Sequence, residues 1–195
     1  MNRLPSTVLA GLLALVSLAP MQAAAPAVAA ASTPRPVVGT ASTAHPTSEV
    51  EVLSVHGAGP YRIGARLDRL VAAGLIDWTA PGCPGVTYTG VTGAWAGKIM
   101  LGFRDGRLMS VGTATVPPRS PAGASVGMSF AELEGIYGTR GSLIRNDAGD
   151  EEAYLVRFGS RVELFTGHPI RPGVGYYEAG PASFVEAGFR RGSPC

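Results

Sequence analysis

The chain has 195 residues, 27 of them glycine and 16 proline, and a formal net charge of +2. That length allows one domain with a real core, and the glycine and proline content predicts short elements joined by tight turns. A charge so near zero gives no electrostatic case for nucleic acid or an anionic membrane surface as partner.

Residues 1–29 read as a secretory signal peptide. Arg3 precedes an almost unbroken apolar run from Val8 to Leu18, and small residues lead to the cleavage triplet Ala27-Val28-Ala29. The run is shorter than the roughly 20 residues that cross a bilayer. The mature protein is therefore expected outside the cell, with no membrane span after signal cleavage. Losing Arg3 takes its formal charge from +2 to +1. Residues 30–48 are rich in Ala, Ser, Thr and Pro, have little to bury, and read as a flexible leader. Glu49 is the first acidic residue, and the folded part is expected to start there.

A first unit spans residues 49–116. Glu49 to Val55 reads as a leading strand. Ile63 to Leu75 reads as a short helix opened by a turn at Gly64. Leu67, Leu70 and Val71 form its apolar stripe, and no good cap residue precedes it. Three strands are predicted after it, in GVTYTG (85–90), KIMLGF (98–103) and RLMSVGTATV (107–116). The last two are joined through Phe103-Arg104-Asp105-Gly106, which carries the Asp-Gly hairpin signal.

A second unit, residues 117–195, repeats that order with a stronger helix. Gly127 makes the entry turn, and Ser129 and Glu132 have the spacing of a capping box. Met128 can staple onto Leu133, and Phe130, Leu133 and Tyr137 share a face. Gly138 stands at the C-cap. Strands are predicted in GSLIR (141–145), EAYLVRF (152–158) and RVELFTG (161–167), with a closing strand in VGYYEAG (174–180). In the tail, Ser183 and Glu186 fit a second capping box, so it reads as a short helix or an irregular segment. Each unit of about 65 residues is marginal alone. The expectation is an α+β fold, with two tandem helix-plus-antiparallel-sheet repeats packed as one body and helices on one face. Cys83 and Cys195 are the only cysteines. In an exported chain their one pairing would be a disulfide, closing a loop of over a hundred residues and stabilising by roughly 4–5 kcal/mol.

The stretches IGARLDRLVAAGL (63–75) and VGMSFAELEGIYG (126–138) resemble the helix entry of the beta-lactamase inhibitory protein and its structural relatives, including the small outer-membrane assembly lipoproteins. Together with GPYRIG (59–64), GCPG (82–85) and the final cysteine, they also resemble a group of actinobacterial secreted proteins. The resemblance implies a helix-loop-helix on an antiparallel sheet, carried twice in the inhibitor. The inhibitor closes a disulfide within each repeat, whereas neither unit here holds two cysteines. Its binding hairpin presents an aspartate followed by tyrosines. The matching stretch here, Thr92 to Lys98, has Trp95 and no carboxylate, so inhibition of a beta-lactamase does not carry over.

Catalytic motifs are sparse. Gly123-Ala124-Ser125-Val126-Gly127 is a literal G-x-S-x-G, with Asp147, Asp150 and His168 downstream in hydrolase order. A proline-rich loop precedes it where the motif needs a buried strand, and the helix-entry glycine is accounted for by the repeat. His45, His56 and His168 are not at metal-ligand spacing, and the turn from Asn146 to Glu152 lacks the order of a calcium loop. Glu132 and Glu134 do not make a glycosidase pair, since one caps the helix and the other lies on its exposed side. Neither a metal nor another cofactor is expected. Trp95, Tyr176 and Tyr177 remain as candidate contact residues, because exposed Trp and Tyr anchor interfaces. The leading expectation is a secreted, non-enzymatic interaction module, inhibitor-like in kind, whose partner is a protein or an envelope component. The alternatives are a small serine hydrolase using Ser125 with Asp150 and His168, and a passive structural component of the cell surface.

Overall fold

The computed structural model describes residues 51–193. The predicted signal peptide and leader, His45 and Cys195 lie outside the described residues. Where one leading strand was expected, the chain makes a small antiparallel ribbon of β1 (Leu53–Ser54), β2 (Gly57–Ala58) and β3 (Tyr61–Arg62). Then follow α1 (Leu67–Ala72) and four strands, β4 (Ile76–Pro81), β5 (Val86–Val91), β6 (Met100–Arg104) and β7 (Arg107–Thr113). A second helix, α2 (Phe130–Tyr137), precedes β8 (Gly141–Arg145), β9 (Glu152–Phe158), β10 (Arg161–Gly167) and β11 (Val174–Pro181). The last helix is α3 (Val185–Arg191). The eight long strands form one sheet in the order β4-β5-β6-β7-β11-β10-β9-β8, and every neighbouring pair is antiparallel. The α+β expectation is met by two four-stranded meanders lying side by side, joined through β7 and β11.

Sequence reading missed β4. Its residues Ile76, Trp78 and Ala80 alternate with polar Asp77 and Thr79, but over five residues only, in a run that follows directly on α1, ends at Pro81 and carries a register shift between Ile76 and Thr79. It is an edge strand, where its terminal Pro81 is tolerated. Two hairpins share the sequence pattern aliphatic-x-Phe, turn, Arg, in Leu101 to Arg107 and Val156 to Arg161, but with four strands per run they occupy different places. Phe103 and Arg107 belong to the third and fourth strands of their meander, Phe158 and Arg161 to the second and third of theirs.

The helices form as their sequences dictate. The Ser129 hydroxyl accepts the Glu132 N–H at 3.2 Å, and the Glu132 carboxylate accepts the Ser129 N–H at 2.7 Å, completing the capping box. Leu133 and Tyr137 are buried, with Met128, Phe130 and Ile136 packed beside them. α1 has no side-chain cap. Leu70 is buried, but Val71, expected in the same stripe, is 53% exposed, because a single turn and a half of helix offers the sheet a narrow seam.

Both entry glycines hold positive φ, 91° at Gly64 and 87° at Gly127, a region costly for other residues. Both make the same contact. Gly64 donates its N–H to the Leu108 carbonyl on β7, and Leu108 donates back to Ala65, at 2.7 and 2.8 Å. Gly127 donates to the Val174 carbonyl on β11, and Val174 donates back to Met128, at 2.9 and 2.8 Å.

α1, α2 and the ribbon cover one face of the sheet, with Leu53, Tyr61, Leu70, Leu101, Phe103, Val111, Leu133, Phe165 and Tyr177 in one core. α3 lies on the opposite face, over Val86, Leu155, Val162 and Leu164. Helices were expected on one face only. The tail's expected capping box is not formed either. Phe184 occupies the N-cap without a side-chain bond, and Glu186 instead accepts Arg157 at 2.6 Å and Arg190 at 2.9 Å. No described helix is long and apolar enough to cross a membrane.

Candidate binding face

Strand alternation separates the two adjacent tyrosines of β11. Tyr177 points into the helix-covered core. It is 0% exposed, stacks on Phe165 at 4.4 Å between ring centres, and donates its hydroxyl to the Leu53 carbonyl at 2.8 Å. It is a core residue, which corrects its reading as a contact. Trp95 sits in a single 3-10 turn (Gly93–Trp95), half-buried against the same core and lying over Gly59 of the ribbon. It packs within its own chain, away from Tyr176.

Tyr176 and Glu178 point to the other face, of which α3 covers only part. There Trp78 of β4, 46% exposed, rests on Gly90, and Tyr176 rests on Gly112. A Cβ at either glycine would collide with the ring, so the sheet floor must be glycine for these rings to lie down. Trp78, Tyr176, Met100, Asp77 and Lys98 line one cavity of about 260 Å³. Lys98 is also tied to Glu51 by an ion pair. Beyond Tyr176, a wider cleft of about 920 Å³ is lined by Phe130, Thr166, Asp150, His168 and Arg171 among others. Against α3, Tyr88, Glu178, Leu164, Phe184 and Phe189 line a third cavity of about 230 Å³.

Burial raises the Glu178 carboxyl above the usual carboxylate range, partly opposed by a hydrogen bond from Ser110. Burial likewise raises the phenols of Tyr88 and Tyr176, and the nearby Glu178 charge adds to both shifts. Tyr88 and Glu178 share the cavity against α3, and Tyr176 lines the two other cavities. On the covered face, Glu163 is 1% exposed and accepts the Tyr137 hydroxyl at 2.6 Å. Desolvation pushes its carboxyl up.

The hydrolase candidates are not brought together. Ser125 is buried, and its hydroxyl accepts Arg119 at 3.2 Å. His168 accepts the Ile170 N–H at 3.2 Å on Nδ1 and faces Arg171 at 3.1 Å on Nε2. Asp150 accepts the Asn146 amide at 2.7 Å, and Asp147 donates its N–H to the Arg190 carbonyl at 2.8 Å. Asp150 and His168 line the wide cleft, and Ser125 does not. The Asn146–Glu152 turn is closed by its own bonds, and His56 meets Arg161 at 2.9 Å. Among the described residues no three His, Cys, Asp or Glu side chains converge as a metal site.

Sequence reading missed Trp78, Tyr88, Glu178 and Phe189. The alternations Val86-x-Tyr88-x-Gly90 and Tyr176-x-Glu178-x-Gly180 did place each set on one face, but nothing in them says which face the helices leave open.

No family model matches the chain, and no curated protein matches it. Among solved structures, the chain is similar to an extracellular protein containing an SCP domain from Bacillus anthracis. That match has 12% identity and a TM-score of 0.48, covering 80% of this chain and 52% of the other. It is also similar to a cysteine-rich secretory protein from Staphylococcus aureus, at 12% identity and a TM-score of 0.38, covering 64% and 47%. The chain spans about half the length of these structures.

Proposed function

We propose that the protein is an exported, non-enzymatic binding module that holds a protein or envelope component against the open face of its sheet. The observation that carries the reading is the set of aromatic rings on that face. Trp78, Tyr88 and Tyr176 border three cavities, and two of the rings lie on glycine floors rather than in a core. Large rings held flat provide contact area at little entropic cost. Export rests on the N-terminal charge, apolar run and small-residue site.

Tandem duplication is part of this reading. The reciprocal bonds make Leu108 and Val174 equivalent. The same spacing separates Gly112 from Glu178, and these two residues pair where the meanders meet. A local two-fold through that pair exchanges Tyr177↔Thr113 with Ala179↔Val111, as the register requires. The resemblance to the inhibitor fits a unit carried twice, though one helix per meander departs from its helix-loop-helix. The Cys83–Cys195 disulfide belongs here too. Cys83 packs into the same cluster as Phe184, Val185 and Phe189 near the chain end, so closure there would pin α3 to the sheet.

The decisive experiment measures retention of binding partners from envelope extract and culture supernatant by wild type and by Trp78→Ala/Tyr176→Ala. At least a tenfold loss is expected in the double variant, and unchanged affinity sinks the open-face reading. Labelling by a fluorophosphonate probe that disappears in Ser125→Ala would put the hydrolase in its place. Alkylation of the non-reduced exported protein should modify no thiol, and two modified thiols would remove the disulfide.

A further inference from the structure

The cavity against α3 has an unusual lining. It is lined by three aromatic residues, Tyr88, Phe184 and Phe189, by Leu164, and by two acidic residues, Glu178 and Glu151. No Lys or Arg is among the residues that line it. Among the described residues, neither Glu178 nor Glu151 joins an ion pair. Glu178 is half-buried at the centre of the sheet. No ion pair offsets a negative charge placed there, and burial raises the carboxyl.

The face of an aromatic ring carries negative potential and attracts a cation, most strongly where water is excluded. The molecule already pairs a cation with one of the lining rings, since the guanidinium of Arg104, itself outside the cavity lining, sits 4.8 Å from the centre of the Phe184 ring. Size narrows the ligand further. About 230 Å³ lies below the usual range for a whole drug-sized molecule but is ample for a charged head and a short aliphatic stem.

We infer that the cavity lined by Tyr88, Phe189, Glu178 and Glu151 binds an alkylammonium group, the carboxylates matching its charge and the rings and Leu164 its stem. The inference rests on the open-face reading and names the chemistry of one part of it. A lysine side chain of a partner protein and a free quaternary amine share this chemistry.

Isothermal titration with N-acetyl-lysine amide, tetramethylammonium and neutral 3-methylbutanol tests it. At least one cation should bind saturably and the alcohol should not, and the tighter cation identifies the source. Glu178→Gln should weaken that cation about tenfold or more, because a charge-assisted contact is lost. Tyr88→Leu, which keeps an apolar side chain, should weaken it severalfold. Unchanged melting temperature and circular dichroism show that each variant is folded. If Glu178→Gln misfolds, Tyr88→Leu together with Glu151→Gln decides the matter. Binding of the alcohol as tightly as the cations, no cation binding at all, or full affinity in the folded variants overturns the inference. Any of these alongside a partner lost in Trp78→Ala/Tyr176→Ala leaves the open-face reading standing.

Discussion

At the scale of single residues, Glu163 is the clearest conflict between burial and charge. It lies in the core with Tyr137 donating to it, and desolvation raises its carboxyl despite that bond. The folded state therefore favours the protonated form. The stability this confers is full below the unfolded value, near 4.3, and is lost as pH rises through the raised folded value. Melting temperature measured against pH should show this decline in wild type. Glu163→Gln should flatten it and melt higher at neutral pH, and an unchanged slope would assign the pH dependence to other groups. The two tryptophans make a second contrast. Trp95→Ala removes a ring packed between ribbon and core and should cost about 2–3 kcal/mol in denaturant unfolding. Trp78→Ala removes an edge-strand ring half open to solvent and should cost under about 1 kcal/mol.

At the scale of elements, α2 was legible because its instructions are local. Ser129, Glu132 and Gly127 lie within six residues of one another, and both halves of the capping box formed. Ser129→Ala should destabilise by about 1 kcal/mol. The matching substitution at α1, Arg66→Ala, removes no cap bond and should have little effect by the same unfolding measurement. The pair of measurements tests whether the two helices differ as their caps do. β4 was missed, and the cap of α3 misread though a short tail helix was among the expectations, because neither is set by near neighbours. The alternation of β4 is short, ends in a proline and is fixed as a strand only by pairing at the sheet edge, and Glu186 found a better partner in Arg157 across the chain than in the helix start.

At the scale of the whole molecule, the two meanders complete one another. β7 and β11 are central strands only because they pair, and each would otherwise present an open edge. Phe165 and Tyr177 from the second meander share a core with Leu101 and Val111 from the first. Residues 117–195 produced alone should therefore fail to give a cooperative unfolding transition or a dispersed amide spectrum. A folded monomer would show the unit to be autonomous. Such a unit is also small enough that its own core is marginal.

The order of elements, the capped helix, most strand positions and the fold class were determined by the sequence itself, because caps, turn glycines and two-residue alternation act between near neighbours. Tertiary structure alone decided which of Tyr176 and Tyr177 is buried, that Trp95 packs inward while Trp78 does not, and that Glu178 and Tyr88, on strands separated by two others, line one cavity. Alternation assigns a side chain to one of two faces, but only the packing of α1, α2 and the ribbon on one of them, and of α3 on part of the other, determines which face is left for a partner.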